Sequence, residues 1–245
     1  MSMRLCALFF WIALVVTTVR AGTVVFTSGE SRSNLLELYT SEGCSSCPPA
    51  DAWLSAMKDK AGLWKNYVPV AFHVDYWDSL GWPDPYSSPE FTQRQHDYAA
   101  AWRADTVYTP EFVLNGAEWR LGRGGLPVAA DKPGILHVTM KDQERVTISF
   151  HPTMLAKDPL FVAVAPLGFG IVTDVHGGEN RGRTLPHEFV ALALLNAPLH
   201  KISAGNYEAS LTLPEKTAAP IKGLAVWVHA EGTMVPLQAT GGLIP

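Results

Sequence analysis

The chain has 245 residues, with 19 basic against 23 acidic side chains and a net charge of −4. That balance argues against a nucleic-acid partner or an anionic membrane surface. Hydrophobic residues make up 47% of the chain and include eight tryptophans, enough to bury a large core in one or two domains.

The N-terminus begins with a basic start at Arg4, followed by a nearly unbroken apolar run from Leu5 to Val16 and the small-residue site Val19-Arg20-Ala21. This order is that of a secretory signal peptide over residues 1–21, too short and too quickly interrupted by polar residues to span a bilayer. Cleavage removes Arg4, Arg20 and Cys6, leaving a net charge of −6 and two cysteines, Cys44 and Cys47. The expected location is therefore periplasmic or extracellular, with no membrane association after cleavage. In such an oxidising compartment a cysteine pair can cycle as a disulfide.

Residues 35–39 read as a short buried strand that ends in the turn cluster Thr40-Ser41-Glu42-Gly43, just before Cys44. Ala50, Trp53, Leu54, Met57 and Ala61 then recur at helical spacing. Residues 68–74 form the next strand candidate. Ser88-Pro89-Glu90 sets up a helix start, with a capping serine, proline in the first position and an acid in the first turn; that helix should reach about Arg103. Residues 111–114 and 117–121 flank Asn115-Gly116, a favoured hairpin turn. A right-handed crossover would make the first two strands a parallel pair. Beyond the glycine run at 122–125, short apolar runs at 134–139, 145–150, 160–166, 206–213 and 224–229 alternate with turns, a pattern that suggests a β-sandwich. Residues 187–195 are ambiguous between helix and strand. The expected architecture is an α/β domain over 30–131 followed by a mainly β, sandwich-like domain over 132–245, divided near Asp131-Lys132-Pro133.

Cys44-Ser45-Ser46-Cys47 carries the strongest chemical signal. Two thiols two residues apart at a strand-to-helix junction can close a disulfide, and the positive end of a helix favours a thiolate. Cys44 is then the nucleophile and Cys47 the resolving thiol. Pro48 and Pro49 each disfavour a helical conformation in the residue before them, so the regular helix is expected to begin at Pro49. An inert disulfide and half of a zinc site are the competing readings, but no second CxxC or His-x-His follows. His73 and Asp75 share a face at the end of the second strand, and with Tyr76 and Trp77 they are expected to face the cysteine loop; a satisfied core histidine and a loop cap are the plainer alternative. Glu37 is a carboxylate in an apolar strand. Buried, it could pass protons to Cys47; on an edge it would do nothing of the kind. The segment 176–184, rich in glycine and polar residues, reads as a solvated structural loop.

The runs Leu38–Asp51, Ala71–Asp78, Gly81–Pro85, Tyr108-Thr109-Pro110 and Gly178–Leu185 resemble a bacterial secreted family known as domain of unknown function 1223. The resemblance implies a thioredoxin-like N-terminal fold with Cys44 and Cys47 on the redox motif and Pro110 on its cis-proline position. It does not imply a substrate. Where such a domain usually closes with a third helix, this chain has only residues 124–131, which include Pro127.

The expected function is thiol–disulfide exchange with protein or small-molecule thiols. Cys44, Cys47, Pro110 and Glu37 would be the catalytic residues, and Thr109, His73, Asp75 and Trp77 would meet the substrate. No cofactor or resident metal is expected. The alternatives are a soft-metal handler, holding Cu(I) through the thiols and His73, and a binding module with a fixed disulfide.

Overall fold

A computed structural model describes residues 22–120, 125–142, 144–203, 205–215 and 217–245. The expected signal peptide, residues 1–21, lies outside them, as do Leu121 and the glycine-containing run 122–124. No helix among the described residues is long and apolar enough to cross a membrane.

Strand β1 (Val24–Thr27) precedes β2 (Asn34–Thr40), and α1 (Pro48–Ser55) follows the cysteines before running into a 3-10 turn at Ala56–Asp59. Next come β3 (Tyr67–His73), a 3-10 turn at Asp78–Leu80, α2 (Pro89–Trp102), β4 (Glu111–Leu114) and β5 (Ala117–Trp119). The rest is strand: β6 (Gly134–Lys141), β7 (Arg145–Pro152), β8 (Leu160–Gly168), β9 (Ile171–Asp174) and β10 (Thr184–His187). These are followed by β11 (Val190–Ala191), β12 (Leu195–Ser203), β13 (Asn206–Thr212), β14 (Gly223–Ala230) and β15 (Pro236–Leu243).

Local chemistry sets several of these elements. The Ser88 hydroxyl accepts the Glu90 amide at the start of α2, Pro89 opens the helix, and Arg103 ends it with φ 59°. Asn115 and Gly116 both take positive φ, as a tight two-residue hairpin turn requires. Contrary to expectation, α1 starts at Pro48. Cys47 adopts a helical conformation before a proline, held there by its carbonyl, which accepts the amides of Ala50 and Asp51.

The expected fold class does not hold. In place of an α/β thioredoxin-like domain followed by a sandwich, there is one mixed sheet of 13 strands, and strands dominate the described residues. β2 does run parallel to β3 and antiparallel to β4, with Leu38 opposite both Ala71 and Phe112. However, the other edge of β3 is taken by β11, where Ala71 faces Val190, and β11 in turn pairs with β8. The N-terminal strands therefore continue into the C-terminal ones. A reading from local patterns misses this because the joining strand has only two residues and is contributed from far along the chain.

β8 and β14 form a wall between two cores. Ala163, Ala165, Leu167, Ala225 and Trp227 face the core built by β2, β3, β4 and the helices. Their neighbours Val162, Val164, Leu224, Val226 and Val228 face the core of β6, β7 and β13. Side chains alternate across a strand, so a strand buried on both faces is apolar along its buried length unless its polar groups are paired; β8 and the buried stretch of β14, residues 223–228, are apolar. β6 and β7 each bury only every second residue.

Candidate active site

Cys44 and Cys47 form a disulfide at the start of α1, with 5.5 Å between their Cα atoms. Both cysteines have 0% exposed surface, whereas Ser45 and Ser46 between them are exposed. The Cys44 sulfur lies 3.3 Å from the Ser46 hydroxyl and 3.9 Å from the Thr109 carbonyl oxygen. The Thr109-Pro110 bond is cis. Trp77 packs its Cβ against Gly43, where even a methyl group would sit 3.1 Å away, and donates its indole N–H to the Thr109 hydroxyl at 2.8 Å. Thr109 thus lies beside the disulfide, with Pro110 next to it in the chain and Trp77 bridging Thr109 and Gly43.

The other expected residues are engaged elsewhere. Residues 36, 38 and 40 of β2 face α1, as the bond from the Thr40 hydroxyl to Asp51 shows. Glu37 projects from the opposite face. There it accepts two bonds from Arg94 of α2, at 2.7 and 3.0 Å, together with the hydroxyls of Tyr98 and Tyr39. Its carboxylate is committed to a buried ion pair on the α2 side rather than to Cys47. Asp75 ties the chain to α2 by accepting the Thr92 hydroxyl, which in turn accepts the Asp75 amide.

His73 is fully buried, and its Nδ1 meets the Asp84 carboxylate at 2.7 Å. Burial opposes a charged ring there, but the Asp84 carboxylate, with help from Asp51 and Glu42, outweighs it and raises the His73 pKa to about 9. The same contact outweighs burial at Asp84 and lowers its pKa. Asp84 also accepts the Glu42 amide. Buried Glu42 lies between the indole N–H of Trp82, at 2.8 Å, and Nε2 of His187, at 3.1 Å. The rings of His73 and His187 meet edge to face at 5.1 Å. Asp51, one turn into α1, faces this cluster, and burial raises its pKa despite the two histidines nearby. A network of histidines and carboxylates therefore underlies the cysteine loop. Among the described residues no group of three or more His, Cys, Asp or Glu side chains is arranged to hold a metal ion.

The loop between β9 and β10, expected to be a solvated structural loop, instead clamps the cysteine loop. Asn180 is buried and donates to the carbonyls of both Glu42 and Cys44, at 2.9 and 2.8 Å. One oxygen of Glu179 accepts the Ser45 amide at 2.9 Å and the Ser45 hydroxyl at 2.7 Å. These two bonds lower the Glu179 pKa. Gly177 and Gly178 allow the approach: a side chain on Gly177 would collide with the carbonyl of Gly81, and Gly178 lies against Gly43 with φ +65°. His187 comes from the end of the same hairpin. Sequence reasoning missed Asn180, Glu179, His187, Asp84 and Glu42. The one local signal was the adjacent glycine pair, which marks close backbone approach.

Two solved structures share the fold. A protein from Agrobacterium tumefaciens, known from an X-ray crystal structure, matches with a TM-score of 0.54 and 23% identity, covering 88% of this chain and 95% of its own. HBP35 of Porphyromonas gingivalis matches with a TM-score of 0.60 and 13% identity, covering 88% of this chain and 76% of its own. No curated protein matches the chain. The family model described as protein of unknown function DUF1223 matches residues 35–229, a span that includes the disulfide, the buried network and the clamping loop, and the chain belongs to that family.

Proposed function

We propose that the chain is an exported thiol–disulfide oxidoreductase working through Cys44 and Cys47. One observation carries this reading: the disulfide closes a loop at a helix start, with the Thr109 carbonyl beside the sulfur of Cys44. A thiolate from a protein or small-molecule partner attacks the Cys44 sulfur. The Cys44–Cys47 bond breaks, a mixed disulfide forms on Cys44, and Cys47 leaves as a thiolate that takes up a proton. A second partner thiolate then attacks the partner sulfur of the mixed disulfide. The partner leaves oxidised and both cysteines are reduced. The reverse sequence reduces a partner disulfide. The basic start and apolar run before residue 22 support export to an oxidising compartment.

In the Cys47→Ser variant, incubation with a disulfide-bonded model thiol should trap a mixed disulfide at Cys44, measurable by mass spectrometry. Cys44→Ser should trap none. Equal behaviour of the two variants would overturn the mechanism. The lack of exposed surface on either cysteine favours a second reading, a fixed structural disulfide. A reduction potential far below about −300 mV would select that reading.

A further inference from the structure

We propose that Glu179 is a positioning residue that disfavours the Cys44 thiolate and so biases the pair toward donating electrons to partner disulfides. The inference rests on the oxidoreductase reading and gives it a direction.

A CxxC cysteine at a helix start ordinarily gains from free amide donors and from the helix dipole. Here those donors are largely taken. The Cys44 amide donates to the Ser41 carbonyl and the Cys47 amide to the Cys44 carbonyl. Pro48 and Pro49 supply no N–H. The amide next to Cys44, that of Ser45, is held by the Glu179 carboxylate, which also takes the Ser45 hydroxyl. Glu179 therefore occupies the amide that follows Cys44 in the chain and brings a formal negative charge within hydrogen-bond distance of Ser45, the neighbouring residue. Both effects oppose a second negative charge on Cys44. The Ser46 hydroxyl, 3.3 Å from the sulfur, acts in the other direction. A disfavoured thiolate makes the dithiol form less stable relative to the disulfide. The reduced pair then passes two electrons to a partner disulfide more readily: the Cys44 thiolate attacks, one partner thiolate leaves, and Cys47 closes the disulfide as the second partner thiolate departs. A thiol-based donor protein must restore the dithiol.

Glu179→Gln tests this, because it removes the charge while keeping an oxygen that can accept the Ser45 bonds. The Cys44 ionisation midpoint in the reduced protein, followed by thiolate absorbance, should fall by about half a unit. The equilibrium constant for reduction by glutathione, measured at about pH 9 where the thiolate is populated, should rise about threefold, or roughly 14 mV for this two-electron couple. The shift should shrink at high salt, since Glu179 is exposed. A loss of structure alone would show no such salt dependence. If the wild-type pair exchanges with glutathione and Glu179→Gln leaves both quantities unchanged, the inference fails and the oxidoreductase reading stands. If the wild-type pair does not exchange at all, both fail.

Discussion

The two cores flanking the β8–β14 wall are held together by different physics. The core of β6, β7 and β13 is lined by Val, Ile, Leu, Met and aromatic side chains, and its outer strands turn every second residue to solvent. On the other side, β2 and β3 are buried on both faces, and that region encloses Glu37, Glu42, Asp51, His73, Asp84 and Gln95. The first region is held by shape and the second also by paired charge. Burying a charge is costly unless it is matched, and here the carboxylates of Glu37, Glu42 and Asp84 each meet an arginine, histidine or indole donor.

The contrast can be broken most severely at Arg94, which bonds Glu37 and lies over the rings of Phe72, Tyr98 and Trp227. Arg94→Met should cost about 3–5 kcal/mol in urea unfolding, because it strands a buried carboxylate. Adding Glu37→Gln should recover part of that loss. In the apolar core no second substitution of this kind exists to help: Ile148→Ala should cost about 2–5 kcal/mol by leaving a cavity.

A smaller effect separates the two regions by pH. Because His73 is raised to about 9 from its ordinary value, its pairing with Asp84 contributes fully below about pH 6.5 and is lost as pH rises through 9. Asp84 is lowered, so its share is present above the ordinary carboxylate pKa and is lost in acid. The wild-type Tm should therefore drop by several degrees between pH 6.5 and 9, and His73→Gln should flatten that slope. An unchanged slope would mean that the pair carries no net stability. Last, Thr147→Ala on the exposed face of β7 should change stability by less than about 0.5 kcal/mol. A larger change would show that the solvent-facing side of that sheet is covered by something.

Features set by neighbours in sequence were legible from the chain alone. The start of α2 at Ser88-Pro89, its end at Arg103, the Asn115-Gly116 hairpin and the placement of the cysteines at a helix start all follow from nearby residue chemistry. What was not legible depends on distant pairing. β11 has two residues and no periodicity to betray it, yet it fuses what read as two domains into one sheet. Glu37 read as a proton carrier because its partner Arg94 lies on a helix whose facing side a sequence does not specify. Asn180 and Glu179 read as loop residues because nothing near them in the chain needs their hydrogen bonds.

That clamp also bears on the order in which the molecule is put together. The cysteine loop is short, but Glu179, Asn180 and His187, which hold it, are between 134 and 145 residues away from the groups they bond. Contacts of such separation form late, since a long stretch of chain must be ordered before they repay its entropy. While the chain is still folding, Cys44 and Cys47 stand uncovered to whatever oxidant or thiol is present. The finished fold then leaves neither cysteine any exposed surface, so the covering of the disulfide is itself a product of long-range folding.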